Sequence, residues 1–287
     1  MLRGYLELVR PANVVTAVAD VLAGFAVAGS ILPGTLPWLA GATSCLYAGG
    51  VALNDYFDRH LDAVERPERP IPSGRVPAGA AAALGGGLLV AGVSLAAVAT
   101  TAAALVATGT AGLILLYDAR AKRHGVFGPL TMGGCRGLNL LLGVSAAPAV
   151  LARFWPLGLI PLVYIAAVTL VSRGEVHGGK RRAAGLALVS LGGVIAALAG
   201  LAARSTAGQN AALAAVGLLA WRVLPPFWRV WGDPRPEGIR LAVRTGVLSL
   251  VLVDATLAAA FAGPLYGAAV VATGVVAAGL ARLFSVT

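Results

Sequence analysis

Residues 78–99 read "AGAAAALGGGLLVAGVSLAAVA", a run of 22 residues without one charged side chain. A helix needs about 20 apolar residues to cross the roughly 30 Å of hydrocarbon in a bilayer. Moving outward along the chain, comparable stretches fall at 12–31, 37–57, 102–118, 128–150, 156–172, 183–203, 210–230, 239–262 and 264–284. The composition agrees with this reading. Hydrophobic residues make up 58% of the chain and charged ones 12%, where soluble domains carry about 25%; mean hydropathy is +0.84. The sequence therefore predicts one all-α domain over 1–287: a polytopic membrane bundle of nine core helices with a tenth at the C-terminus.

Charge distribution orients the bundle. The connections after the second, fourth, sixth and eighth segments hold Arg59, Arg66, Arg69 and Arg75, then Arg120, Lys122 and Arg123, then Arg173, Lys180, Arg181 and Arg182, then Arg235. The opposite connections hold little beyond Arg153 and Arg204. This is the positive-inside pattern, so the expectation is a cell-membrane protein with its N-terminus and charged loops in the cytoplasm. The same distribution explains the net charge of +10 without a nucleic-acid partner. The opening "MLRGYLELVRPANVV" carries Arg3, Glu7 and Arg10 and does not read as a removable signal peptide. Cys45 and Cys135 sit in apolar runs without metal-ligand spacing and read as packing residues.

One stretch breaks the apolar character. "NDYFDRHLD", Asn54 to Asp62, is followed by "AVERPERPIPSGRV". On a helix, Asn54, Asp55, Asp58 and Asp62 fall within about a 100° arc and make a stripe about 12 Å long. Such a stripe repels itself unless a cation sits on it. Hard oxygen donors suit Mg²⁺, which takes one or two carboxylates, waters and substrate phosphate oxygens. The alternative is a solvated helix end whose acids pair with Arg59, Arg66 and Arg69. Pro67, Pro70, Pro72 and Pro77 stiffen the loop that follows. They hold Arg66, Arg69 and Arg75 near the acids, in reach of diphosphate oxygens. Carboxylates for a metal beside guanidiniums for an anion imply a diphosphate ester.

These residues carry a family resemblance. "NDYFDRHLDAVERPERPIPSGRV" resembles the first aspartate-rich motif and arginine-proline tail of the UbiA-type intramembrane prenyltransferases. "RPANVVTAVADVLAG" is similar to that family's opening helix, and "YDARAKR" at 117–123 resembles its tyrosine-lysine loop. The resemblance implies Mg²⁺ on Asn54, Asp55, Asp58 and Asp62, with Asn13 facing the metal-diphosphate site. It also implies that Tyr117 and Lys122 contact a prenyl diphosphate substrate. Read alone, Tyr117, Lys122 and Arg123 would be a snorkelling basic cluster.

The family's second acidic motif is not repeated. "TLVSRGEVHGGKRR" stands there, with Glu175 as its one carboxylate beside Arg173, His177 and Lys180. Either one Mg²⁺ is bound, or Glu175 holds a second one weakly while Arg173 and Lys180 take over as fixed positive charges; direct basic contacts to the diphosphate are the expectation. The form at 172–179 resembles a divergent bacterial, EboC-like branch of the family. Within the apolar segments, Asp20 either lines a cavity or pairs with an arginine such as Arg136 or Arg244. Arg136 and Asn139 share a helix face; they either hold substrate oxygens or fasten two helices. Asp254 belongs to no motif.

The expected reaction is Mg²⁺-dependent ionisation of a prenyl diphosphate, with capture of the allylic cation by an acceptor in the lipid bilayer. Terpene cyclisation is the alternative, and the aromatic cluster Trp221, Phe227, Trp228 and Trp231 could serve it, although interfacial positions explain those rings as well. A non-catalytic transporter or assembly protein on the same fold is a further alternative. A CDP-alcohol phosphotransferase would need a D-G-x-x-A-R signature that the chain lacks.

Overall fold

The computed structural model describes residues 2–29 and 33–280. The last residues of the expected segments 12–31 and 264–284 lie outside the described residues.

The described chain is helical almost throughout. A short helix α1 (Leu2–Val9) leads into α2 (Pro11–Val27), followed by α3 (Leu36–Glu65), α4 (Ala78–Ala99), α5 (Thr101–Ala119) and α6 (Phe127–Val144). Then come α7 (Pro148–Phe154), α8 (Leu159–Ser172), α9 (Arg181–Ala203), α10 (Gln209–Gly232), α11 (Pro236–Ala262) and α12 (Pro264–Leu280). Among the described residues, eight stretches are long and apolar enough to cross a membrane: 3–27, α3, α4, α5, 148–172, α9, α10 and α11. With the shorter α6 and α12, each of the ten expected segments has a helix. The protein is a multi-pass membrane protein.

Two boundaries differ from the sequence reading, each for a local reason. The second segment does not stop at 57. Residues 57–65 contain neither Gly nor Pro, so α3 continues to Glu65, 30 residues in all and about 45 Å long. That exceeds the hydrocarbon thickness, so the acid-bearing turns emerge at the bundle's charged end. Arg66 leaves the helix at φ −145°, as the residue before Pro67 must avoid the α region. The expected helix 128–150 is broken. It ends at Val144, where Ser145 Oγ donates to the Leu142 carbonyl at 2.6 Å, and Pro148, lacking an N–H, can only begin the next helix.

Two apolar cores meet at α2 and α6. One gathers α3, α4 and α5 around Leu46, Leu53 and Leu89; the other gathers α8 to α11 around Tyr164, Leu191, Leu219 and Phe227. Lipid solvates Leu as well as protein does, so helices in membranes associate through close backbone approach. Gly24 and Gly143 provide it between α2 and α6. A Cβ on Gly24 would strike the Leu140 carbonyl, and one on Gly143 the Val21 carbonyl. Gly133 lets α6 approach α8 in the same way, against the Leu162 carbonyl. Finally, α12 packs on both α2 and α11. Cys45 and Cys135 are free thiols.

Candidate functional site

The site begins with the length of α3. Its last turns carry Asn54, Asp55, Asp58 and Asp62 beyond the apolar part of the helix, and basic residues from three other segments fold onto them. Arg10 lies between α1 and α2 with φ +48°, a left-handed conformation that costs a non-glycine residue about 1–2 kcal/mol. It places the guanidinium Nη2 2.7 Å from Asp55 Oδ1. Strain of this kind persists where the surroundings fix it, and here Asp55 does so.

After Glu65 the loop 66–77 turns back on the helix. Ser73 N–H donates to the Arg69 carbonyl and Val76 N–H to the Pro70 carbonyl. This brings Arg69 Nη1 to 2.8 Å from Asp62 Oδ2 and 3.4 Å from Asp55 Oδ1. The stiff loop therefore delivers one of its three expected arginines onto the acids. Arg75 is engaged elsewhere, with the Glu7 carboxylate of α1 and, at 2.6 Å, with the Glu68 carbonyl. Arg66 is exposed.

The turn after α5 supplies the other side. Lys122 Nζ lies 2.7 Å from Asp58 Oδ1, and Asn54 Nδ2 donates to Asp118 Oδ1 at 2.9 Å. Tyr117, half-buried, is within electrostatic reach of Asp58, Asp118 and Arg173. Arg173 Nη1 donates to the Lys122 and His124 carbonyls at 3.4 and 3.3 Å, which ties the 173–180 loop to the 120–125 turn. Arg173 and Lys180 line a cavity of about 430 Å³ between α8, α9, α10 and α11, together with the backbone of Gly174, Gly178 and Gly179. Glu175 is part of this loop. Burial pushes its carboxyl above the usual range, opposed by the charges of Arg240 and Arg66.

Three expected site residues lie elsewhere. Asn13 lines a cavity of about 60 Å³ between α2, α11 and α12, and among the described residues its side chain makes no hydrogen bond to the α3 acids. Arg136 and Asn139 are occupied by Asp20, which is fully buried. Arg136 Nη1 is 2.6 Å from Asp20 Oδ2 and its Nη2 donates to Thr16 Oγ1 at 3.1 Å. Asn139 Nδ2 donates to Asp20 Oδ2 at 2.7 Å and to the Ala17 carbonyl at 2.8 Å, while Thr43 Oγ1 donates to Asn139 Oδ1 at 2.6 Å. Of the two possibilities for Asp20, the arginine pair is the one formed. The network fastens α2, α3 and α6, and Asp254 of α11 lies against Asp20.

Two residues escaped the sequence reading: Arg10 and Asp118. Arg10 was legible only as the first letter of "RPANVV". Asp118 stands in "YDARAKR", where attention falls on Tyr117 and Lys122, yet an acid at the end of an apolar run was the available signal. Asp118 is 3% exposed, and its Oδ2 is buried without a hydrogen-bond partner.

The donor chemistry fits a hard divalent cation. Asn54, the orphaned Asp118 oxygen and Asp58, whose Oδ1 meets Lys122, are oxygen donors, while Asp55 and Asp62 are closed on Arg10 and Arg69. Among the described residues, no three His, Cys, Asp or Glu side chains converge as a preformed cage. The arrangement suits a cation brought in with an anionic substrate that itself supplies ligands.

Comparisons with known proteins give the chain's family and fold. A sequence model of the UbiA prenyltransferase family matches residues 14–231. A digeranylgeranylglyceryl phosphate synthase from Methanothrix thermoacetophila is 37% identical over 152 residues, covering 52% of this chain and 57% of that protein. The chain thus spans little more than half the length of such curated relatives. Among solved structures, the apo structure of a UbiA homologue from Aeropyrum pernix K1 has a TM-score of 0.69 at 18% identity, covering 85% of this chain and 96% of that one. A UbiA homologue from Archaeoglobus fulgidus bound to GPP and Mg²⁺ has a TM-score of 0.61 at 16% identity, covering 94% and 99%. At these identities the likeness is one of fold.

Proposed function

The chain belongs to the UbiA prenyltransferase family, and from that premise we propose that it transfers a prenyl group from an isoprenoid diphosphate to an acceptor held in the membrane. The observation that carries the reading is the meeting of the α3 acids with Lys122, flanked by the Arg173–Lys180 cavity. Acids alone would suit a cation and bases alone an anion; side by side they suit a metal diphosphate.

Asn54 and Asp58 would hold the divalent cation, Mg²⁺, with the carboxylates of Asp55 and Asp62, paired to Arg10 and Arg69, on the same stripe. When bound, the cation neutralises charge developing on the leaving diphosphate. The chain's own residues do the rest. Lys122, Arg69, Arg173 and Lys180 are fixed positive charges against the diphosphate oxygens, so their electrostatic work grows as the carbon–oxygen bond breaks. The electron pair of that bond leaves with the diphosphate, and the allylic carbon is captured by an electron-rich atom of the acceptor, which gives up one proton. The prenyl tail extends into the apolar bundle, where exclusion of water prevents its capture as an alcohol. Glu175, within the 173–180 loop, is the acid of the second basic segment. We place this end of the bundle in the cytoplasm on the loop charges.

The names of the curated relatives describe products with prenyl groups joined to glyceryl phosphate, which supports transfer over intramolecular cyclisation. The test is product identification. The purified protein in lipid nanodiscs is given labelled geranylgeranyl diphosphate, Mg²⁺ and a lipid extract of its source cells. A labelled acceptor heavier by one prenyl unit is expected; a labelled cyclic hydrocarbon formed without extract would establish cyclisation instead.

A further inference from the structure

Four carboxylates and three cations meet at the charged end of the bundle, and the pairing is unequal. Asp55 is held by Arg10 and Arg69, Asp62 by Arg69, and Asp58 by Lys122. Among the described residues, no cation forms an ion pair with Asp118, although the charge of Lys122 acts on it. One of its oxygens accepts from Asn54 at 2.9 Å; the other is buried with no partner, in a residue only 3% exposed.

A carboxylate buried with one oxygen unsatisfied is costly, and natural proteins seldom keep one without a use. The side chain is not loosely placed. Asn54, on the same stripe as Asp58, grips it, and Lys122 and Asp58 both act on it electrostatically. Among the described residues, Asn54 Oδ1 accepts no hydrogen bond from any side chain. Two oxygens at the Asn54–Asp118 contact are thus free to face a cation, beside the Asp58 carboxylate.

We propose that Asp118 is a metal ligand of this site, completing with Asn54 and Asp58 a donor set drawn from two helices. The inference rests on the proposed function, since the cation arrives with the diphosphate. It also accounts for the sparse acids of the 173–180 loop: the oxygen donor absent there is provided by the end of α5. Asp118 thereby couples the α3 stripe to the Tyr117–Lys122 turn, so metal and anion contacts form together.

The test is metal binding read independently of turnover. Mn²⁺ in place of Mg²⁺ is titrated by electron paramagnetic resonance into the detergent-solubilised full chain, in the presence of a non-ionising thiolodiphosphate analogue of geranylgeranyl diphosphate. Asp118→Asn keeps the volume and the oxygen that accepts from Asn54, but removes the ligand charge. It should weaken Mn²⁺ binding by roughly tenfold or more, while the melting temperature stays near that of the wild type. Asp118→Cys offers a soft donor, so the ratio of Cd²⁺ to Mn²⁺ affinity should rise by about tenfold or more over the wild type, whose two native cysteines are unchanged. This second readout holds even where a variant is less stable. Wild-type Mn²⁺ affinity in Asp118→Asn, with an unchanged metal preference in Asp118→Cys, would overturn the proposal and leave Asp118 as a structural partner of Asn54. A wild-type chain that binds no Mn²⁺ with the analogue would overturn the proposed function itself, a distinct outcome.

Discussion

The Lys122 ammonium lies 2.7 Å from Asp58 Oδ1, joining the end of α3 to the turn after α5. Neither residue is fully buried, so the pair can open to admit an anion and its metal. Replacing Lys122 with Ala removes a fixed positive charge that acts on the leaving group. Diphosphate release should fall roughly a hundredfold, with a rise in KM for the prenyl diphosphate. Steady-state kinetics of Lys122→Ala and Lys122→Arg check this, with the arginine variant retaining the larger part of the activity.

The acids of the two basic segments should differ in weight. Asp58→Ala is expected to abolish diphosphate release, whereas Glu175→Ala should weaken it less. Equal losses, measured at saturating Mg²⁺, would make Glu175 part of a second full metal site.

The buried Asp20–Arg136 pair is a matter of stability. Arg136→Ala leaves Asp20 uncompensated in the bundle interior, and loss of one partner from such a pair costs about 3–5 kcal/mol. Thermal unfolding in detergent should show a large drop for Arg136→Ala and a smaller one for Asp20→Asn combined with Arg136→Met, because the double change buries no unpaired charge.

Close packing of α2 on α6 gives a second stability test. Gly143→Val drives side-chain atoms into the Val21 carbonyl and the Gly24 backbone, and overpacking costs about 1–3 kcal/mol. Gly192→Ala, on α9 where nothing lies within 4 Å of an added Cβ, should leave the melting temperature unchanged. The contrast between the two checks the helix approach.

A pH dependence follows from Glu175. Its carboxyl is raised above 4.5 in the folded protein, chiefly by burial, so the folded state holds that proton more tightly than the unfolded one. Its contribution is fully present below the unfolded value and is lost as pH rises through the folded value. Glu175→Gln should therefore flatten the fall in stability on the acid side of neutrality, measured by melting temperature against pH.

The bundle was legible because the physics is one-dimensional: an uncharged run such as Ala78–Ala99 has few places to go but the membrane, and the helix has the expected bounds. The acid stripe was legible for a similar reason, since Asn54, Asp58 and Asp62 are neighbours on one helix face. What resisted reading depends on contacts between distant segments. Nothing local to Arg10 shows that its strained backbone reaches Asp55, and nothing in "YDARAKR" shows that Asp118 meets Asn54, 64 positions earlier. The break at Pro148 was a local signal overridden by the length of the apolar run around it. Arg136 and Asn139 were visible as an inward-facing pair, but their joint capture by Asp20 required the α2–α6 approach that Gly24 and Gly143 permit.

Diphosphate release from geranyl, farnesyl and geranylgeranyl diphosphates by the purified chain, with and without Mg²⁺, bears on all of this at once. Mg²⁺-dependent release from at least one of them, lost in Asp58→Ala and strongly reduced in Lys122→Ala, is the expected result. No release at any chain length, with membrane lipid extract supplied as acceptor, would contradict a diphosphate-ionising site at the end of α3.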